Sequence, residues 1–203
     1  RHPRCAVVTG FLRCALPIST NALLERKGAR LAFLTTAGFE DLLEIGRQTR
    51  RELYNIMVEK RTLLIPRRLC FGVRERTLAD GRVEKAADLG QVEGIIRRLK
   101  KAGVESVAVC LLHSYADPAN EKRVCRKLEE EGLSFSASHR VLREYREYER
   151  ASTTAINAYV APLMESYLGR LEKTLSPNLV RIMQSNGGFV SAQSARKNPI
   201  CTI

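Results

Sequence analysis

Two polar stretches of the sequence carry groups that could bind an anion or a carbonyl. Residues 185–188 read Ser-Asn-Gly-Gly, and two adjacent glycines allow a backbone to approach a ligand closely or to adopt positive φ. Arg47 and Gln48 follow Gly46 at the end of a predicted helix, from which they could reach an anion or an amide. Ligand contact is one interpretation of both stretches. A plain tight turn and a solvated helix end are the alternatives.

A second group of polar side chains lies further along the chain. Glu149 and Arg150 end the charged stretch REYREYER and could orient a substrate, although a surface ion-pair cluster is the simpler interpretation. Thr153, Thr154 and Asn157 are expected on the first turns of a helix. Exposed backbone N–H groups and small polar side chains there suit an oxyanion or a phosphate. Helix capping is the alternative.

The middle of the sequence predicts an α/β layer that would position such groups. LGQVEGIIRRLKKAG has the spacing of an amphipathic helix that ends at Gly103, and ESVAVCLLHS is a continuous apolar strand. ADPANEKRVCRKLEEEG predicts a second helix with Asp117 as its N-cap, and SFSASHRVL predicts a further strand. Alternating helices and buried strands favour parallel pairing. His113 and Ser114 close the apolar strand, where sites of α/β proteins often form; a structural histidine is the alternative.

The flanking segments predict further elements in the same way. TNALLERKGA predicts a helix ending at Gly28, RLAFLTT a strand, GFEDLLEIGRQ a helix with one apolar face, and VRERTLADGRVEK a hairpin that turns at Asp80-Gly81. A long helix is expected over residues 152–175, interrupted or kinked at Pro162. LVRIMQS then predicts a short strand that leads into the paired glycines.

Composition excludes several classes of protein. The 203 residues contain no apolar run of about 18, so no membrane span is predicted. The formal net charge is +12, but the basic residues alternate with acids in helical stretches, which indicates a solvated face and no nucleic-acid partner. The six cysteines form no CxxC pair, and the three histidines show no ligand spacing with them. We therefore expect no metal site made from these residues, and a reducing, cytoplasmic location.

Five segments, in order, resemble the hydantoinase/oxoprolinase family. They are TNALLERKGAR, GFEDLLEIGRQ, VESVAVCLLHSYADPANE, EYERASTTAINAYVAPLMESYL and MQSNGG. The resemblance covers about residues 19–203 and implies an α/β chain that is part of an actin-like (RNase H-type) ATPase fold. It also implies ATP and Mg²⁺ as cofactors, and activation and opening of a cyclic amide of the hydantoin or 5-oxoproline type by carbonyl phosphorylation. A hydantoinase B-type subunit or domain is the implied partner.

The sequence departs from the family pattern at both ends. A GGTFTD-like phosphate hairpin and an SGPAGG-like continuation are absent, so we expect a fragment, truncated at both ends, that is inactive alone. Residues 1–18 form a non-family leader, and our hypothesis is that they are partly or wholly an assembly artefact, because Ala15-Leu16-Pro17-Ile18 matches a translated sequencing adapter. We expect residues 19–150 to form the N-terminal α/β region and residues 151–203 to begin the hydantoinase A-type domain.

The resemblance also selects residues for a substrate or nucleotide cleft without giving their catalytic roles. These candidates are Thr20, Asn21, Arg47, Gln48, Glu149, Arg150, Asn157, Ser185, Asn186, Gly187 and Gly188. A non-catalytic α/β scaffold or partner-binding subunit is the alternative function, because a fold does not guarantee an activity.

Overall fold

The computed structural model describes residues 11–12, 15–48, 54, 63–175, 181–183, 188–197 and 199–202. The chain divides into a central unit, Arg30–Tyr159, and a terminal unit, Arg1–Ala29 with Val160–Ile203. The strands are β1 (Phe11–Leu12), β2 (Leu31–Thr36), β3 (Cys70–Val73), β4 (Arg76–Thr77), β5 (Val83–Lys85), β6 (Ser106–Cys110), β7 (Ser134–Ala137), β8 (Arg181–Met183) and β9 (Phe189–Ser191). The helices are α1 (Ala15–Leu24), α2 (Leu42–Ile45), α3 (Leu89–Lys101), α4 (Ala119–Glu130), α5 (Ser138–Val141), α6 (Glu147–Leu175) and α7 (Ala192–Lys197).

The central unit is built on a four-stranded parallel sheet in the order β3-β2-β6-β7. Every residue of β2 and of β6 is buried, which explains why both read as continuous apolar runs in the sequence. In register, Leu34 lies opposite Val109. The predicted α/β class and the parallel pairing are confirmed.

Helix α3 covers the sheet with the face that the sequence predicts. Val92, Ile95, Ile96 and Leu99 are all buried, and burial of each such side chain contributes roughly 1.5–3 kcal/mol. Gly103 adopts φ +65° and donates its N–H to the carbonyl of Lys100, which ends the helix as expected.

The predicted hairpin is also present. Strands β4 and β5 pair antiparallel, and Gly81 takes φ +86° in the turn between them. The side chain of Asp80 accepts the N–H of Arg82 at 2.9 Å. Aspartate and glycine therefore provide the turn chemistry that their dipeptide predicts.

The predicted helix in GFEDLLEIGRQ is reduced to one turn, α2, in which no residue is buried. Gly46 adopts φ +56° directly after Ile45, which ends the helix, and a single turn cannot bury an apolar face. Phe39 and Ile45 are 40% and 52% exposed. The predicted length of this helix was wrong, and its apolar side chains are not buried.

Three other predicted boundaries also differ from the structure. Helix α1 ends at Leu24 and not at Gly28, because Arg26 adopts the left-handed φ of +55°. The strand in SFSASHRVL ends at Ala137, and α5 follows at once. Helix α6 begins at Glu147, five residues before the predicted start, and continues through Pro162.

In the terminal unit, β8 pairs parallel with β1 and antiparallel with β9. A small apolar core contains Met164, Leu168, Ile182, Ala192 and Ala195. Arg196 forms an ion pair with Glu172. Among the described residues of the whole chain, no helix is long and apolar enough to cross a membrane.

Candidate functional site

The order of the strands creates a topological switch point between β2 and β6. From β2 the chain goes to β3 on one side, whereas from β6 it goes to β7 on the other side. The connections that leave the carboxyl ends of β2 and β6 therefore diverge. In open α/β sheets, ligands bind in the crevice that such divergence creates. We call the edge formed by residues 36–41 and 111–118 the switch-point crevice.

A threonine connects the two strand ends at this crevice. Thr36, the last residue of β2, accepts the backbone N–H of Leu112 with its Oγ1 at 3.0 Å. The same hydroxyl donates to Oε1 of Glu75. The hydroxyl of Thr36 thus fixes the spacing between the connections that follow β2 and β6.

Behind this threonine lies a buried carboxylate with neutral partners. Glu75 is 5% exposed, and Nδ2 of Asn120 donates to its Oε2 at 2.7 Å. The hydroxyl of Thr77 donates to the same oxygen at 3.3 Å. Among the described residues, Glu75 forms no ion pair. Because every group here is satisfied and held, this cluster is a rigid support for the hairpin beside the crevice.

A second buried carboxylate, that of Glu121, holds the β6 side of the crevice. Glu121 accepts the N–H of Leu111 at 3.0 Å, the hydroxyl of Ser138 at 2.9 Å and the N–H of His139 at 2.9 Å. Its Oε1 also lies 2.7 Å from Nδ1 of His139. Burial raises the pKa of the Glu121 carboxyl, but the hydrogen bonds from His139 and Leu111 outweigh burial, and the pKa is lowered overall.

Arg150 is buried under the crevice and is completely unexposed. Its Nη2 donates to the carbonyl of Leu111 at 2.9 Å, its Nη1 donates to the carbonyl of Glu144 at 2.8 Å, and its guanidinium lies 5.3 Å from the ring centre of Tyr115. The surface ion-pair interpretation of REYREYER is therefore wrong for Arg150. Burial raises the pKa of the neighbouring Cys110 thiol to about 11, so this thiol is not a nucleophile at neutral pH.

The structure brings two of the predicted cleft residues together on the surface. Arg47 donates from Nε to Oε1 of Glu149 at 2.7 Å, and its Nη2 lies 2.6 Å from the same oxygen. The backbone N–H of Glu149 lowers the pKa of its own carboxyl most strongly, burial opposes this, and Arg47 lowers the pKa further, so the pKa is lowered overall. Gln48, the next residue after Arg47, is exposed and adopts φ +55°.

The expected anion site on the first turns of α6 is not formed by the predicted residues. Because α6 begins at Glu147, Thr154 and Asn157 lie well inside the helix. Thr154 donates its hydroxyl to the carbonyl of Arg150 at 2.7 Å. Asn157 is buried and donates from Nδ2 to the hydroxyl of Ser136 on β7 at 2.9 Å. Asn157 therefore connects α6 to the sheet.

The remaining candidates belong to the terminal unit. Thr20 is half-buried and Asn21 is exposed, both on α1. Gly188 lies directly before β9. Ser185, Asn186 and Gly187 lie outside the described residues.

Several residues in the crevice or in the buried clusters that support it were not among the sequence candidates. They are Thr36, Glu75, Thr77, Asn120, Glu121, Ser138 and His139. The Thr-Thr pair that ends RLAFLTT was the available signal, because hydroxyls that end a buried strand face the ligand edge of a parallel sheet. Glu75 and Glu121 gave no such signal, because nothing in the sequence around an isolated glutamate in a polar stretch indicates that its side chain is buried.

The chemistry of the crevice suits a neutral polar ligand better than a polyphosphate. Its described polar side chains are the hydroxyls of Thr36, Ser114 and Tyr115, the imidazole of His113 and the carboxylates of Glu40, Asp41 and Asp117. Arg67 is already paired with Asp41, and Arg47 with Glu149. Within the described ranges, no three His, Cys, Asp or Glu side chains are grouped to hold a metal ion. The crevice residues therefore do not fit ATP or Mg²⁺, and we assign neither to them.

Two protein-family models match the chain. Residues 9–132 match the family model of the hydantoinase/oxoprolinase N-terminal region, and residues 150–203 match that of hydantoinase/oxoprolinase. The chain belongs to the hydantoinase/oxoprolinase family. The first match begins inside residues 1–18, and our division of the chain at residues 18 and 150 stays a prediction.

Two relatives of the chain share about a third of their aligned residues with it. The acetophenone carboxylase gamma subunit of Aromatoleum aromaticum is 36% identical over 78% of the chain and 24% of its own length. The 5-oxoprolinase of Saccharomyces cerevisiae is 32% identical over 88% of the chain and 16% of its own length. The chain thus spans about a quarter or less of these relatives.

A solved structure has the same fold. The ATP-dependent caprolactamase from Pseudomonas jessenii superposes with a TM-score of 0.78 at 29% identity, over 86% of the chain and 26% of the caprolactamase chain. The resemblance read from the five sequence segments is confirmed, and the α/β fold is one that an ATP-dependent enzyme of this family also has.

Proposed function

We propose that the chain is part of an ATP-dependent enzyme that activates and opens a cyclic amide of the hydantoin or 5-oxoproline type. Membership of the hydantoinase/oxoprolinase family supports this proposal. Two relatives, named 5-oxoprolinase and caprolactamase, take their names from cyclic amides. When bound, ATP would supply a phosphoryl group to the carbonyl oxygen, since an amide carbonyl is otherwise a poor electrophile.

The observation that carries the proposal is the switch-point crevice. It combines a position where α/β sheets bind ligands with the half-buried imidazole of His113 on the β6 side, next to strand ends that the hydroxyl of Thr36 holds in place. An imidazole can bind a polar group of an amide without requiring a charge on the ligand. We therefore assign the cyclic amide, and not the nucleotide, to this edge.

The sequence candidates have different roles within this proposal. Arg47 and Glu149 form an exposed pair that we assign to the wall of the substrate cleft. Arg150 and Asn157 are buried, so we propose that they position the cleft without contacting substrate. Thr20, Asn21 and residues 185–188 belong to the terminal unit, and we retain them as candidates for the nucleotide, with Mg²⁺ bound by groups outside the crevice.

We further propose that the enzyme acts in the cytoplasm with a hydantoinase B-type subunit or domain. Relatives named as a gamma subunit and as an alpha subunit support a multi-subunit enzyme. Buried free thiols at Cys70, Cys110 and Cys125 accord with a reducing compartment.

The test is ATP hydrolysis stimulated by cyclic amides. The native locus is sequenced across both ends of this reading frame, and the encoded protein is assayed with 5-oxoproline, hydantoin and caprolactam, with and without its B-type partner. We expect phosphate release that depends on one of these rings, with ring opening seen by mass spectrometry. The absence of ATP hydrolysis would favour the scaffold interpretation, and hydrolysis that no ring stimulates would contradict the proposed substrate class.

A further inference from the structure

We propose that Nε2 of His113 accepts a hydrogen bond from the ring N–H of the cyclic amide. The inference rests on the proposed function and adds a specific contact to it. It makes His113 a specificity-determining residue that distinguishes rings with a free N–H from N-substituted rings.

The proton of the neutral His113 imidazole lies on Nδ1. Nδ1 of His113 lies 2.8 Å from the backbone carbonyl oxygen of Thr77. A carbonyl oxygen only accepts hydrogen bonds, so Nδ1 must carry the hydrogen. In the neutral ring, Nε2 then has a lone pair and is an acceptor.

The carbonyl of Thr77, which orients the imidazole of His113, is held rigidly. Thr77 is 1% exposed, and its hydroxyl is held by Glu75 at 3.3 Å and by Asn120 at 3.2 Å. These two side chains are also bound to each other at 2.7 Å. The carbonyl that orients the imidazole therefore belongs to a fixed, buried cluster, so the direction of Nε2 is fixed as well.

The backbone of His113 is strained. His113 adopts φ +54°, a left-handed conformation that is uncommon for a residue with a side chain and costs on the order of 1–3 kcal/mol. The neighbouring Leu112 and Ser114 are buried, whereas His113 is half-buried. The strained turn thus presents the imidazole at the crevice between two residues that face the interior.

The surroundings of Nε2 in His113 indicate the class of ligand that it binds. Within the described residues, Nε2 of His113 has no hydrogen-bond partner. The rings of His113 and Tyr115 meet at 67° with their centroids 6.0 Å apart. An oriented acceptor beside an aromatic ring suits a neutral ring that carries an N–H donor. A secondary amide in a lactam or hydantoin ring provides this donor, and its N-methyl derivative does not.

The first test measures the tautomer directly. The full native protein is labelled with ¹⁵N-histidine, and long-range ¹H–¹⁵N correlation spectra are recorded near pH 8, with His139→Gln used to assign the signals. We expect the neutral tautomer of His113 to carry its proton on Nδ1, and its Nε2 signal to shift on addition of 5-oxoproline or caprolactam. A proton on Nε2 would overturn the inference whatever reaction the enzyme catalyses.

The second test measures discrimination. Affinities for caprolactam and N-methylcaprolactam, and for 5-oxoproline and its N-methyl derivative, are compared by calorimetry in the wild type, in His113→Asn and in a matched surface control, Lys122→Gln. Asparagine tolerates positive φ, so the turn should be retained. We expect the wild type and the control to prefer the free N–H by about tenfold, the value of one hydrogen bond, and His113→Asn to lose this preference.

The outcomes separate this inference from the proposed function. If the wild type turns over cyclic amides and His113→Asn keeps the preference for a free N–H, the inference is wrong and the proposed function stands. If no cyclic amide binds or stimulates ATP hydrolysis, the proposed function fails and the assignment to His113 fails with it. If His113→Asn does not fold, the tautomer and the ligand-induced shift of Nε2 in the wild type decide the question.

Discussion

Nη2 of Arg150 donates to the carbonyl oxygen of Leu111 at 2.9 Å, which ties the first turn of α6 to the end of β6. The two residues are 39 apart in the sequence, and both are almost completely buried. Leu111 also donates its N–H to Glu121. The residue that follows β6 is therefore held from both of its backbone polar groups, immediately before the turn that contains His113.

Replacing Arg150 with methionine should reduce the free energy of unfolding by about 3–5 kcal/mol, as when one partner of a buried charged interaction is removed. The reason is that the carbonyl of Leu111 would lose its donor in a buried site, and the carbonyl of Glu144 would lose a part-buried one. Urea unfolding followed by circular dichroism measures the change. Arg146→Met, at an exposed arginine one turn earlier, should change stability by less than about 0.5 kcal/mol. Equal effects of the two variants would contradict the assignment.

The lowered pKa of Glu121 predicts a specific loss of stability in acid. A carboxyl whose pKa is lower in the folded protein contributes stability above its unfolded pKa, near 4.5, and this contribution is lost as the pH falls through the folded value. We expect the free energy of unfolding to decrease below about pH 5, and the decrease to be shallower in Glu121→Gln. Urea titrations between about pH 6 and pH 3 check this slope.

Glu131→Gln is the matched control for Glu121. The pKa of Glu131 is also lowered, by Lys100, but this pair lies on the surface. Its removal should leave the acid slope almost unchanged, since solvent screens exposed pairs. A larger effect from Glu131 than from Glu121 would show that the buried hydrogen bonds are not the source of the pH dependence.

The pair formed by Arg47 and Glu149 should matter little for stability. The Arg47 side chain is 63% exposed and that of Glu149 is 25% exposed, and double-mutant cycles of exposed pairs give about 0.2–1 kcal/mol. We expect Arg47→Gln to change the midpoint of thermal unfolding only slightly and to raise KM for the cyclic amide. A large loss of stability without a change in KM would make the pair structural and remove it from the cleft wall.

Replacing Val109 with aspartate should prevent folding. Val109 is unexposed in β6, between β2 and β7, and an unpaired charge there has no compensating partner. Val83→Asp, in the exposed strand β5, should fold with nearly normal stability. A soluble Val109→Asp protein that melts cooperatively would contradict the position of β6 in the sheet.

The sequence predicts those parts of the fold that depend on local pattern. The apolar run of β6, the buried face of α3 and the turn at Asp80-Gly81 follow from residue type and spacing, and the structure has all three. The single turn of α2 shows the limit of this reasoning. Its apolar spacing favoured a helix with one apolar face, but the helix has only four residues and ends at Gly46, which adopts positive φ.

The candidate site depends on contacts between distant residues, and a single sequence does not contain that information. Glu75 reads as one more charge in a polar stretch until Thr36, Thr77 and Asn120 surround it. Arg150 reads as a surface charge until its guanidinium meets two backbone carbonyls.

By itself, the sequence determined the family, the α/β class and most of the elements, because these follow from collinear motifs and from hydrophobic periodicity. Only the tertiary structure decided which strand ends meet at the switch point and which polar groups are buried there. It also decided which nitrogen of His113 carries the proton, since that is set by a carbonyl 36 residues away. The reason is physical: periodicity is local to a segment, whereas burial and hydrogen-bond partners are properties of the folded chain.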